Sequence, residues 1–338
     1  MRKFLLLSVF LLLTGCDSST PELHLFGWAE MIDQQTIRRF EQKYQCRVRV
    51  DTYDSNETMY AKLRSGGGGY DLIIPTQNYV GIMAQQGLLQ EIDQEKLPYL
   101  KDLDQSVLTP LSPEILKYSV PFSISYTGLG LRLEKIPDFQ NSWEIFQRPN
   151  LRKRMTLLND YREVIGCALI TLGYSVNTTS KEEIEKATRL VLEWKKNIAK
   201  FENEQYKNGI ATGEFLVVQG SSSDILQVVE ENPLVSFQIP EEGSVVAYDM
   251  FAIPKQAPNP ELAYHFLNFL FQPEVAASLM QRTYQLIPNR LAYDHLPEKF
   301  RENPGVFPPE SVWEKLEPIW DLGENVRLYH EAWDSIKD

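Results

Sequence analysis

The sequence predicts an α/β protein with a helix-covered sheet of parallel strands, in a chain long enough to form two lobes. From Leu23 to Pro75, strand-like and helix-like segments alternate at short spacing, which is the pattern of parallel βαβ units. The 338 residues suffice for two lobes with separate cores. Because no disordered linker interrupts the middle of the chain, we expect crossing strands to join the lobes, with a hinge beneath a cleft.

The first βαβ units are marked by helix caps and by apolar periodicity. Leu23–Phe26 is typical of a strand, Asp33 of a helix cap, and Arg47–Val50 of a second strand. Asn56 is the predicted N-cap of the second helix. That helix is expected to end at the glycine run 66–69. No Lys-Ser or Lys-Thr follows this run, so we interpret it as a connection to a buried strand and not as a phosphate loop.

The second half of the chain carries equally local signals. Ser180 and Glu183 have the spacing of a capping box ahead of an amphipathic helix. Val245–Ile253 is predicted to be a mostly apolar strand. Pro260 and Pro273 are expected to begin two helices, because proline suits the first helical position.

The N-terminus has the three parts of an export signal. Arg2 and Lys3 precede an apolar run over residues 4–13, and small residues follow. The run is shorter than the about 20 residues that a spanning helix needs. We therefore predict a signal peptide over residues 1–15.

The tetrapeptide Leu-Thr-Gly-Cys ending at Cys16 resembles the lipobox of bacterial lipoproteins. Cys16 is accordingly predicted to be lipidated, with residues 16–21 as a short tether. Asp17 resembles the signal for retention at the inner membrane. These features predict a periplasmic protein anchored by lipid to the outer face of the inner membrane.

The charge, cysteine and histidine content of the chain limits the classes of ligand and cofactor that it could bind. The formal net charge of −12, with no stripe of Lys and Arg, argues against nucleic-acid binding and suits cationic ligands. Beyond Cys16 the chain has only Cys46 and Cys167, which could pair in an oxidising compartment, although their spacing gives no disulfide framework. The four histidines lack the spacing of metal ligands, so no metal or cofactor is expected.

Three blocks of residues, in one order along the mature chain, resemble the periplasmic spermidine/putrescine-binding proteins of bacterial ABC importers. The first block, residues 51–63, reads DTYDSNETMYAKL and is the most specific. The other matching segments are Tyr70-Asp71-Leu72, Asp160, Arg162-Glu163-Val164, Leu172–Ser175, Asn177–Thr179, Asp249, Ala252–Pro254, Leu267–Leu270, Pro273, Val275-Ala276 and Pro288-Asn289.

The resemblance implies a bilobal periplasmic-binding-protein fold of type II, with two mixed sheets flanked by helices. One lobe would comprise residues 22–124 plus 249–292, and the other residues 125–248 plus 293–338. The ligand would lie in the cleft between the lobes, which close on it.

By the same resemblance, the carboxylates that would bind an ammonium group are Asp160, Glu163 and Asp249, with Glu30 as a further acid close to the aromatic Trp28. Asp160 and Glu163 would equally suit a solvated helix start. Asp249 interrupts an apolar strand, where an internal salt bridge would be the alternative to a ligand.

The remaining expected ligand-binding positions show how the chain departs from the family. Thr76 matches a small hydroxyl residue. Ser221 and Ala247 stand where the family usually places tryptophans, and Asn78 and Gln285 where it often has tyrosines. The acids of the site are therefore kept while much of the aromatic cage is replaced, for which Tyr79, Tyr126, Tyr161 and Tyr248 are candidate substitutes.

These expectations describe a monomeric, lipid-anchored receptor that binds a polyamine or related small cation and delivers it to an ABC permease in the inner membrane. A ligand sensor or scaffold lipoprotein of the same fold, or a receptor for a different cation such as ferric ion, is the alternative. An enzyme is not expected: the serine-rich segment 221–224 lacks a G-x-S-x-G elbow and is predicted to be a hinge-side loop or the cleft floor.

Overall fold

The computed structural model describes residues 20–338. The predicted signal peptide, the lipidation site Cys16 and most of the predicted tether lie outside the described residues. Among the described residues, no helix has both the length and the apolar character required to cross a bilayer.

Residues 20–338 form ten strands in two sheets. The strands are β1 Glu22–Trp28, β2 Arg47–Tyr53, β3 Leu72–Ile73, β4 Val120–Leu131, β5 Met155–Leu157, β6 Lys200–Phe201, β7 Val217–Ser221, β8 Ser236–Gln238, β9 Ser244–Phe251 and β10 Leu316–Pro318.

The described part of the chain also forms fifteen α-helices, which lie between or beside the strands. They are α1 Gln34–Tyr44, α2 Asn56–Arg64, α3 Gln77–Gln85, α4 Gln105–Leu108, α5 Pro113–Tyr118, α6 Tyr161–Thr171, α7 Lys181–Lys195, α8 Tyr206–Thr212, α9 Ser222–Glu231, α10 Pro260–Leu270, α11 Pro273–Thr283, α12 Arg290–Tyr293, α13 Glu298–Arg301, α14 Glu310–Trp313 and α15 Val326–Lys337.

The first sheet has the order β2-β1-β3, and both neighbours of β1 are parallel to it, which confirms the predicted βαβ units. Asp33 caps α1 as predicted. The predicted cap Asn56 is wrong by one residue: Ser55 accepts the backbone N–H of Thr58, and Asn56 accepts that of Thr76. The glycine run connects α2 to β3, as expected.

The second sheet has the order β10-β9-β4-β7-β5-β6, with β8 also paired to β4. Strand β4 connects two hydrophobic cores. Phe122 and Ile124 in its first half pack in one core, and Leu129 and Leu131 in its second half pack in the other. The antiparallel partner β9 extends this link toward the first sheet through the bridges of Ile73 with Ala252 and of Thr76 with Asp249.

The helices of the second half begin where the sequence predicts. Pro260 and Pro273 are the first residues of α10 and α11. Ser180 caps α7 by accepting the backbone N–H of Glu183, whereas the Glu183 carboxylate accepts from Thr178 instead of closing the capping box.

The two cysteines of the described chain are free thiols. Cys46 is buried in the first core and Cys167 in the second, so they lie in different parts of the fold. Burial raises the pKa of both thiols, which keeps them protonated and unreactive.

Replacing Asp71 by alanine tests how this fold is held together. Its buried carboxylate accepts the backbone N–H of His24 at 2.8 Å and also that of Asn259, so it joins β1 to the start of α10. We expect Asp71→Ala to lower the free energy of unfolding by roughly 3 kcal/mol, because two buried donors lose a charged acceptor. Urea denaturation measures the loss. The exposed Glu185→Ala is the control, and equal effects of the two variants would contradict this role.

Candidate functional site

Strand β4 presents two hydroxyl groups to two carboxyl groups. The hydroxyl of Ser123 donates to Asp249 Oδ2 at 3.0 Å, and that of Thr127 donates to Glu163 Oε2 at 2.8 Å. Four residues apart on one strand, the two hydroxyl residues share a face and have Cα atoms about 13 Å apart. The strand therefore brings together two of the three carboxyl groups that the resemblance implied.

Asp249 lies inside β9 and is 8% exposed. Burial raises the pKa of its carboxyl to about 7, while the hydroxyl of Ser123 and the nearby indole of Trp28 favour the charged form. Within residues 20–338 no Lys, Arg or His side chain forms an ion pair with it. The alternative of an internal salt bridge is therefore wrong for the described chain, and a cation from outside would stabilise the carboxylate.

Asp160 and Glu163 lie at the N-terminus of α6. Asp160 is the N-cap and accepts the backbone N–H groups of Arg162 at 2.8 Å and of Glu163 at 3.1 Å. Burial, and then the charge of Asp160, raises the pKa of Glu163 to about 8. Desolvation at the helix N-terminus also raises the pKa of Asp160, although the residue as a whole is exposed to solvent.

Arg162 forms no ion pair with these two acids within residues 20–338, although its charge lowers the pKa of both. Its buried guanidinium donates instead to the carbonyls of Trp320 at 3.0 Å and Val176 at 3.2 Å, and to Asn177 Oδ1 at 3.0 Å. The hydrogen bond to Trp320 connects α6 to the segment that follows β10. The carboxyl groups of Asp160 and Glu163 consequently keep oxygen atoms that a ligand could contact.

Trp28, at the end of β1, is half-buried and packs edge-on against Tyr53 with ring centroids 4.6 Å apart. Its Nε1 is buried without a hydrogen-bond partner in the described chain, although the indole stands close enough to Asp249 to influence that carboxyl. Thr76 lies opposite Asp249 in an isolated bridge, and its hydroxyl donates to Asn78 Oδ1 at 2.6 Å. These three predicted residues thus lie on or next to the Asp249 side of the site.

The other predicted positions flank the same part of β4. Ser221 ends β7 opposite Thr127, and Ala247 lies opposite Ser125, two residues before Asp249. Gln285 is 8% exposed, and its buried Oε1 has no hydrogen-bond partner in the described residues. The prediction of a loop at the serine-rich segment is wrong, because β7 passes directly into α9 at Ser222.

Glu30 is separated from the other acids by its own partner. The residue has a left-handed backbone (φ 61°), and its Oε2 lies 2.8 Å from Nζ of Lys207 on α8. Sequence reasoning missed Lys207, because a lone lysine 177 positions away gives no signal.

Two of the four tyrosines proposed as substitutes for the aromatic cage are not part of the core. Tyr126 and Tyr248 are core residues whose hydroxyls donate to backbone carbonyls. Tyr79 and Tyr161 are half-buried, and the negative charge of Glu57 raises the pKa of both phenols beyond the effect of burial. The charge of Glu57 also raises the pKa of Asp160. The sequence singled out Glu57 only as part of a motif.

A cavity of about 940 Å³ lies on the Trp28 and Glu30 side of the site, and its lining does not include Asp249, Asp160 or Glu163. Trp28 and Glu30 line it on one side, and α8 and α9 contribute Lys207 and Gln227 on the other. Trp28 therefore lines this cavity and also influences the carboxyl of Asp249.

Replacing Glu163 by glutamine tests the electrostatics of this site. Folding raises the pKa of Glu163 from 4.5 to about 8, so the folded state holds the proton more tightly. The resulting stabilisation is complete below the unfolded pKa and is lost as the pH rises to about 8. We expect ligand-free Glu163→Gln to lose less stability than the wild type between about pH 5 and about pH 8.

Urea denaturation across this pH range measures the difference, with Glu185→Gln as the control at an exposed helical position. The account of Glu163 would be wrong if Glu163→Gln kept the full pH dependence of the wild type.

Residues 35–308 match the family model described as bacterial extracellular solute-binding protein. The chain is 31% identical to the putrescine-binding periplasmic protein PotF of Escherichia coli (strain K12), over 93% of this chain and 91% of that protein. It is 32% identical to the spermidine/putrescine-binding periplasmic protein of Salmonella typhimurium (strain LT2), over 95% of this chain and 92% of that protein.

Two solved structures are similar over nearly the whole chain. The Tp0655 (TpPotD) lipoprotein of Treponema pallidum has a TM-score of 0.84 at 32% identity, covering 93% of this chain and 99% of that one. A putative spermidine/putrescine ABC transporter protein of Listeria monocytogenes has a TM-score of 0.87 at 28% identity, covering 94% and 99%. These matches confirm the predicted bilobal α/β fold. The chain belongs to the family of bacterial extracellular solute-binding proteins.

Proposed function

We propose that the protein is the periplasmic receptor of an ABC importer and binds a polyamine in the cleft between its lobes. One observation carries the proposal: two carboxyl groups, Asp249 and Glu163, are held by hydroxyls on one face of β4 without an internal cation in the described chain. The relatives named above, which are putrescine- and spermidine/putrescine-binding proteins, support the choice of polyamine.

A ligand with several ammonium groups suits this arrangement. Each ammonium would replace the missing cation at one carboxylate, through charge-assisted hydrogen bonds about twice as strong as neutral ones. The half-buried face of Trp28 would cover the methylene chain and attract the adjacent charge, worth about 0.5–2 kcal/mol. Both contacts bind the ligand without breaking a bond in it.

Closure of the lobes would follow from the same contacts. We propose the lobe boundaries given by the resemblance, residues 22–124 plus 249–292 and residues 125–248 plus 293–338. Asp249 then belongs to one lobe, and Asp160 and Glu163 to the other. A ligand that bridges them favours the closed form, because only that form provides both sets of contacts, and the permease would accept the closed form.

Calorimetric titration with putrescine, spermidine and spermine tests the proposed ligand class. We expect binding that strengthens from about pH 6 to about pH 8 and releases protons, because a bound cation lowers the pKa of Asp249 and Glu163 from about 7 and about 8. Proton release is measured in buffers of different ionisation enthalpy. No binding of any of the three amines at millimolar concentration would refute the proposal.

Asp249→Asn is the matched site variant for this titration. It keeps the size of the side chain and removes the charge, so we expect affinity to fall by at least about thirtyfold. Glu185→Gln, with its exposed side chain on α7, should bind like the wild type.

We further propose that a lipid on Cys16 anchors the receptor at the membrane. The lipobox-like tetrapeptide supports this site, and the similar Treponema pallidum structure is that of a lipoprotein. Cys16→Ala should release the protein from the membrane fraction into the periplasmic fraction, with loss of the lipid mass. Ser18→Ala is the control. Membrane association that persists without a thiol at residue 16 would contradict the anchor.

A further inference from the structure

The ammonium group of Lys207 is held in place at the edge of the candidate site. Its Nζ lies 2.8 Å from Glu30 Oε2, 3.0 Å from Gln227 Oε1 and 3.9 Å from Asp224 Oδ1. The lysine side chain is 26% exposed, whereas that of Glu30 is 70% exposed. Because Gln227 and Asp224 belong to α9, which packs beside α8, the charge of Lys207 stays near its position even when Glu30 moves.

Glu30 is therefore an anion that the protein itself has already paired. It follows Trp28 by two residues and both residues line the same cavity, so a ligand that extended past the indole into this cavity would approach Glu30. A ligand ammonium approaching Glu30 would meet the positive charge of Lys207 a few ångströms away, which is unfavourable even with solvent screening.

The site thus offers two anionic positions that lack an internal cation within residues 20–338. One is Asp249, anchored by Ser123. The other is the pair of Asp160 and Glu163, anchored by backbone N–H groups and by Thr127. Two free positions match a ligand with two ammonium groups.

We propose that Lys207 determines ligand specificity: because it forms an ion pair with Glu30, the receptor favours diamines over triamines. This inference rests on the proposed function, because it concerns the choice among amines at the same site.

The test compares the dissociation constants of putrescine, a diamine, and spermidine, a triamine, by calorimetry. In the wild type, putrescine should bind more tightly. In Lys207→Gln, which frees Glu30 and removes the repelling charge, the preference should shift toward spermidine by about fivefold. The double variant Glu30→Gln/Lys207→Gln also lacks the negative charge that would attract the third ammonium. Its shift toward spermidine should therefore be smaller than that of Lys207→Gln alone.

Two controls separate specificity from a general effect on the protein. Lys207→Arg keeps the charge and should keep the wild-type preference. Lys196→Gln removes an exposed lysine that pairs with Glu193 at the end of α7, and it should leave the ratio unchanged. A purely structural role of Lys207 would alter both affinities in parallel and leave their ratio as in the wild type.

The possible outcomes distinguish this inference from the proposed function. Binding of both amines with an unchanged ratio in Lys207→Gln, or a wild type that already favours spermidine, overturns the inference alone. Failure of every amine to bind any of these variants or the wild type overturns the inference together with the proposed function.

Discussion

A carboxyl group buried without an internal cation is the constraint on which the site depends. Asp249 lies within a strand surrounded by core residues, where charge is unfavourable, and within residues 20–338 a hydroxyl and a nearby indole partly offset the loss of water. A folded protein tolerates such a group at the expense of stability. The arrangement becomes favourable when a cation arrives, and this gain on binding is the driving force that a receptor needs to close on its ligand.

The fold imposes this arrangement through one long strand. Over its twelve residues, β4 packs in both cores, pairs with β9 along one edge and with β7 along the other, and carries Ser123 and Thr127 on the same face. The two hydroxyls cannot move independently of the sheet. The spacing of the carboxyl groups is consequently a property of the sheet and its register. The ion pair of Glu30 with Lys207 lies at the edge of the site, where a substitution can change specificity without disturbing the cores.

Much of the fold could be predicted from the sequence because its signals are local. Asp33, Pro260 and Pro273 mark helix starts by chemistry that acts within one helical turn, and the structure confirms them. The second helix start was misplaced because Ser55 and Asn56 are equally good caps, and only the position of Thr76 decides that Asn56 turns to another partner. The carboxylates of the site came from a resemblance. Ser123, Thr127 and Lys207 could not be found that way, since they become neighbours of those acids only through strand pairing and packing over long sequence distances.

The crystal structure of the protein with a bound diamine is the most direct test of the central claim, that carboxyl groups on separate elements bind the ammonium groups of one ligand. The account predicts one ammonium within hydrogen-bonding distance of Asp249 and the other within such distance of Asp160 or Glu163, with the methylene chain against Trp28. A diamine bound elsewhere, with these carboxyl groups still contacting only protein and water, would contradict it.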